Sequence, residues 1–81
     1  MRVIVCPPYG PTQPGFVVAL DSPTQQYATE NGVFVDYNHA FIMGEVIQFP
    51  RAKDAITFAE IHGWTVINKA SSESILNPSM R

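Results

Sequence analysis

Residues 46–68 read VIQFPRAKDAITFAEIHGWTVIN, and their pattern decides the fold. Val46–Phe49 is an apolar run that Pro50 ends, because proline carries no N–H for a ladder. From Arg51 to His62 the period changes. Ala52, Ala55, Ile56 and Ala59 fall at i, i+3, i+4 and i+7, which places all four on one helix face. Pro50 suits a position at or just before the first turn, and Asp54 lies close enough to favour the positive end of the helix dipole. Gly63 supplies a left-handed C′ residue, with His62 in the last turn and beside the free carbonyls. Trp64–Ile67 (WTVI) then returns to a strand. The spacing predicts a strand–helix–Gly–strand unit whose core is built by Phe49, Phe58 and Trp64.

Outward from this unit the chain reads as strands and turns. Arg2–Cys6 (RVIVC) is a β-branched run and a first strand, and Phe16–Leu20 (FVVAL) is a second. Between them, residues 7–15 hold four prolines and two glycines, which predicts an irregular or polyproline-like connection. Residues 21–32 admit two readings. Ser22 can cap a short helix with Pro23 at its first position and Gln25 completing the capping box. Alternatively Asp21–Thr24 is a turn, Gln25–Glu30 a strand and Asn31-Gly32 a two-residue hairpin turn. The hairpin is favoured, because a helix here has little to bury beyond Tyr27 and Ala28. Val33, Val35 and Tyr37 alternate with Phe34 and Asp36 as a strand requires. Asn38-His39 reads as a turn, Ala40–Met43 as apolar, and Gly44 as a bulge or break.

The whole is an expected α+β domain over residues 1–69, a small antiparallel sheet with one main helix packed on one face. The polar tail 70–81 is expected to be loosely held. An 81-residue chain is one domain of modest stability. With 46% hydrophobic and 15% charged residues it has enough apolar material for a core.

Five Lys and Arg against seven Asp and Glu give a formal net charge of −2. Nucleic-acid binders concentrate basic residues to neutralise phosphates, and here only Arg51 and Lys53 are close together. Direct nucleic-acid binding is therefore not expected, whereas a basic partner suits the mild acidity. Cys6 is the single cysteine, so no internal disulfide is possible and no Cys/His set has zinc spacing. The apolar runs are too short to span a membrane, and Pro7 and Pro8 interrupt any leader-like stretch. A cytoplasmic location is the expectation.

A short motif set lies within the helical unit: Phe49, Asp54-Ala55, Phe58-Ala59-Glu60 and Gly63-Trp64, in register and without gaps. Together they resemble the C-terminal part of the NADH-dehydrogenase iron–sulfur-protein-four family, accessory subunits of respiratory complex I. Met43-Gly44 is similar to a Met-Gly pair upstream in that family, at a shorter spacing. The likeness spans roughly a quarter of the 81 residues, and the family's upstream Trp- and Arg-containing segments have no counterpart here. It implies the local fold and attachment to a larger assembly. It implies no cluster, because one cysteine cannot supply the four ligands a cluster takes.

No catalytic, cofactor or metal site is expected. Asp54 and Glu60 lie on different helix faces, and Cys6 with His39 or His62 lacks the context of a thiol nucleophile. The aromatic residues outside the helical unit, Tyr9, Phe34, Tyr37 and Phe41, are the candidate partner-binding set. Phe34 must point opposite to Val33 and Val35, so one of the two sets faces away from the helix. That face is either an exposed binding patch or is covered by the Pro-rich loop or the tail. The expected function is a non-catalytic protein-binding module attaching to a protein partner or multi-subunit complex. The alternative is a small phage or mobile-element inhibitor, anti-CRISPR-like, that blocks a host defence complex.

Overall fold

The computed structural model describes residues 1–11, 13–36 and 44–69. It is an α+β fold in which one helix packs on a five-stranded sheet. The strands are β1 (Arg2–Cys6), β2 (Val17–Leu20), β3 (Gln26–Ala28), β4 (Phe34–Asp36) and β5 (Thr65–Val66), and the helix is α1 (Ala52–Ile61). The sheet order is β4-β3-β2-β1-β5. Strands β1 to β4 pair antiparallel, and β5 joins β1 in parallel, so the sheet is mixed.

The helix face is the one that the spacing predicts. Ala52, Ala55, Ile56 and Ala59 are all buried, against Val3, Val5, Phe16, Val18 and Ala28 of the sheet side. With three alanines on this face, Ile56 is its one bulky buried side chain, and the helix can sit close to the sheet around it. Gly63 has φ +78°, and the helix closes through Gly63 N–H to the Glu60 carbonyl (3.0 Å) and Trp64 N–H to the Ala59 carbonyl (3.0 Å). This pair of bonds is a Schellman motif, and it turns the chain directly into β5.

The sheet is strongly curled. Four inter-strand spacings would separate β4 from β5 by roughly 19 Å if it were flat. Yet the rings of Phe34 on β4 and Trp64 before β5 lie 5.0 Å apart between centroids. They stand at diagonally opposite corners, and right-handed twist brings such corners together over the helix. A continuous row of rings, Phe34, Trp64, His62, Phe58 and Phe49, follows from this closure, each within 4.5–5.3 Å of the next.

Strand β5 is short, and a side chain extends it. Thr65 N–H donates to the Met1 carbonyl just before β1, and Ile67 N–H donates to the Val3 carbonyl of β1. The next rung is made by Asn68, whose Oδ1 accepts from Val5 N–H (2.9 Å) and whose Nδ2 donates to the Val5 carbonyl (2.8 Å). The side-chain amide stands in for one more peptide of strand.

One expectation needs correction, and one choice left open by the sequence is decided. The 21–32 segment is the hairpin, but its loop has three residues instead of two. Thr29 pairs with Val33, Glu30–Gly32 lie between, and only Gly32 takes positive φ (+80°). That is a type I turn followed by a glycine bulge, a geometry in which Asn31 keeps negative φ. Of the two readings of the Pro-rich segment, the irregular connection is the one observed. Tyr9 N–H donates to the Gln13 carbonyl (2.8 Å), Gln13 N–H donates to the Gly10 carbonyl (3.2 Å), and Gly10 has φ +72°. The buried side chain of Gln13 donates to the Pro7 and Gly15 carbonyls, and Gln48 Oε1 accepts from Gly15 N–H. The loop is a tied turn because two glutamines supply the partners that proline cannot.

Candidate partner-binding site

Alternation assigns each strand residue to the helix side or the far side of the sheet. Val3, Val5, Val18, Ala28, Phe34 and Val66 pack on the helix side. Val17 and Val46 are buried on the far side, with Cys6, Tyr27 and Val35 half-buried around them. Phe34 therefore turns inward onto Trp64, and the residues that face away from the helix are Val33 and Val35. Of the four aromatic candidates, Tyr9 is 78% exposed on the Pro-rich loop, and Phe34 is half-buried. Tyr37 and Phe41 lie outside the described residues, as does His39. The four do not form a single exposed aromatic patch among the described residues.

The structure instead exposes a different apolar group at the hairpin. Val33 is 59% exposed at the end of the β3–β4 turn. The turn is held by Thr29 N–H to the Val33 carbonyl (2.9 Å), Gly32 N–H to the Thr29 carbonyl (2.9 Å) and Thr29 Oγ1 to the Val33 carbonyl (2.9 Å). Its outer side is tied to the helix end, where Gly32 packs on the His62 ring so closely that a Cβ would lie 2.7 Å from Cδ2. His62 is itself stacked on Trp64 and bonded through Nδ1 to the Phe58 carbonyl (3.0 Å).

An open groove of about 320 Å³ runs beside this turn, lined by Thr29, Glu30, Asn31, Val33, Val35 and Glu45. Glu45 reaches it because Val46 is bridged to Thr29 and Ile47 N–H donates to the Ala28 carbonyl. Residues 46–49 bond both here and to Phe16, closing the gap where β2 and β3 diverge after their single pair Ala19↔Tyr27. The groove thus has valine walls and carboxylates at its edge. Its residues were readable only after the helix side was known: alternation separates Val33 and Val35 from Phe34 but does not say which set is covered.

The Tyr9 loop and the Thr29–Val33 turn leave the same end of the sheet, one after β1 and the other after β3, because these strands run in the same direction. Cys6 ends β1 at this end, and burial raises the pKa of its thiol. That keeps the thiol protonated and poorly nucleophilic. Among the described residues no three His, Cys, Asp or Glu side chains gather as a metal site, and no helix is long and apolar enough to cross a membrane. No family model matches the chain, and neither curated proteins nor solved structures give a match.

Proposed function

We propose that this chain is a non-catalytic protein-binding module that docks through the end of the sheet bearing Tyr9 and Val33. One observation carries the reading: two strongly exposed apolar side chains are held on hydrogen-bonded turns that leave the same sheet end. Ordering a mobile segment costs free energy on binding, and turns already tied in place avoid most of that cost. The nearly balanced charge argues for a protein partner over a nucleic acid, and its slight acidity favours a basic one. The likeness of residues 46–68 to complex I accessory subunits favours a multi-subunit partner, since such subunits act by attachment. In this reading the helical unit is scaffold, occupied with packing against the sheet.

The test is affinity capture from the native cell with the wild-type chain and with a Tyr9→Ala/Val33→Asp variant. Both positions are exposed, so the variant keeps its circular dichroism and its unfolding midpoint. The partner recovered by the wild type should fall at least about tenfold with the variant, a loss of about 1.4 kcal/mol or more. Equal recovery by the folded variant rejects this surface. The identity of the partner separates an accessory subunit, retrieved with respiratory components, from an inhibitor of a defence complex.

A further inference from the structure

We propose that Asn31 is a site of spontaneous modification, by attack of the Gly32 backbone nitrogen on its side-chain amide, and that the folded β3–β4 turn holds this reaction in check. The chain has four asparagines, a thermolabile residue type. Asn31 alone is followed by glycine, which has no side chain to shield the attacking nitrogen. Asn38 precedes His39, Asn68 precedes Lys69, and Asn77 precedes Pro78, whose nitrogen has no proton to give up. The Asn68 amide is occupied on Val5, whereas Asn31 is exposed on its turn. In the reaction the Gly32 nitrogen loses its proton and bonds to Asn31 Cγ, the Cγ–Nδ2 bond breaks, and the side-chain nitrogen leaves as ammonia. Water then opens the cyclic imide at either carbonyl. One opening gives aspartate, a new carboxylate next to Glu30; the other gives isoaspartate, which adds a methylene to the backbone of the turn. The fold restrains the first step. Gly32 N–H donates to the Thr29 carbonyl (2.9 Å), so the attacking nitrogen is engaged until the turn opens. Type I geometry also fixes the Asn31 ψ that ring closure has to rotate. Thr29 ties the turn to Val33 through its amide and its hydroxyl, and the His62 ring packs against Gly32. Conversion therefore follows the local opening of the turn.

The test ages the full folded chain at mildly alkaline pH beside an acetylated peptide of residues 28–34 in the same buffer. Peptide mass spectrometry maps the converted residue, and enzymatic methylation specific for isoaspartate counts the product. Conversion is expected at Asn31 ahead of every other asparagine, and about tenfold slower in the folded chain than in the peptide. Hydrogen exchange gives an independent readout, because it needs the same nitrogen freed: the slowing should at least equal the protection of the Gly32 amide. Thr29→Val removes the hydroxyl bonds and keeps the branched shape, so it should speed conversion severalfold while circular dichroism stays native. If that variant unfolds, the exchange comparison decides alone. Conversion centred on another asparagine, a folded chain that ages as fast as the peptide, or slowing smaller than the amide's protection would each overturn the proposal. So would an unchanged rate in folded Thr29→Val, or a chain still intact at Asn31 after many half-lives of the peptide.

Discussion

Replacing Asn68, two residues beyond β5, by alanine should remove more stability than truncating Thr65 on β5 itself. The amide makes two bonds to one residue of the neighbouring strand, at 2.9 and 2.8 Å, and Val5 is only 1% exposed. Each net hydrogen bond contributes about 1–1.5 kcal/mol, and the truncation removes two of them. Asn68 is half-buried, so water can enter part of the vacated space and soften the loss. The expected cost is therefore about 2–3 kcal/mol, a sizeable part of the roughly 4–12 kcal/mol that a chain this long possesses. The midpoint of thermal unfolding should drop by about 10–20 °C. Urea unfolding followed by the fluorescence of Trp64, the single tryptophan, measures the effect directly. The urea dependence should keep its slope, which shows that the native state has lost stability and not compactness. Asn68→Asp keeps an acceptor for the Val5 N–H but turns a second lone pair toward the Val5 carbonyl, so it should be no better than alanine. A loss below about 0.5 kcal/mol, within the range of ordinary surface substitutions, would refute the extra rung.

Gly32→Ala should destabilise by about 1–3 kcal/mol, since it adds a Cβ at positive φ against the His62 ring; His62→Ala in the same background should recover part of that loss if the clash is its source. The Cys6 thiol should react with a thiol reagent at mildly alkaline pH far more slowly in the folded chain than in urea. Because its folded pKa is raised, the unfolded chain gives up this proton first. The wild type should lose stability relative to Cys6→Ala as pH rises through the range where a free thiol ionises, and urea melts across that range would show no divergence if burial were wrong.

Much of the scaffold was legible because its signals are local. The four apolar positions of α1 and the closing Gly63 each depend on residues within a few positions of one another, and each appears as read. The strand read at Trp64–Ile67 is the shorter Thr65–Val66, and the run Val46–Phe49 makes isolated bridges to Thr29 and Phe16 in place of a strand. The hairpin was legible too, while its loop length was not. Asn31-Gly32 fits either a two-residue or a three-residue loop, and the choice is made by Thr29, whose hydroxyl and amide both engage Val33. What escaped the sequence depends on long-range partners. Asn68 reaches Val5 across 63 positions, Gln48 reaches Gly15 across 33, and nothing near either residue announces the bond. The side taken by Phe34 is of the same kind. Alternation sets it opposite to Val33, but only the curl that brings β4 over to Trp64 covers one and exposes the other. The aromatic patch suggested by composition therefore does not assemble among the described residues, and Val33 is the apolar side chain that the β3–β4 turn exposes instead.

The central claim, that the partner sits on the Tyr9–Val33 end and not on the helix, is tested most directly by site-specific photo-crosslinking. A benzophenone amino acid is placed at Val33 in one chain and at Lys53, exposed on α1, in another. The account predicts that Val33 yields a covalent adduct with one protein and that Lys53 yields none. An adduct from Lys53 with Val33 silent would contradict it, placing the interface on the helix and leaving the sheet end unoccupied.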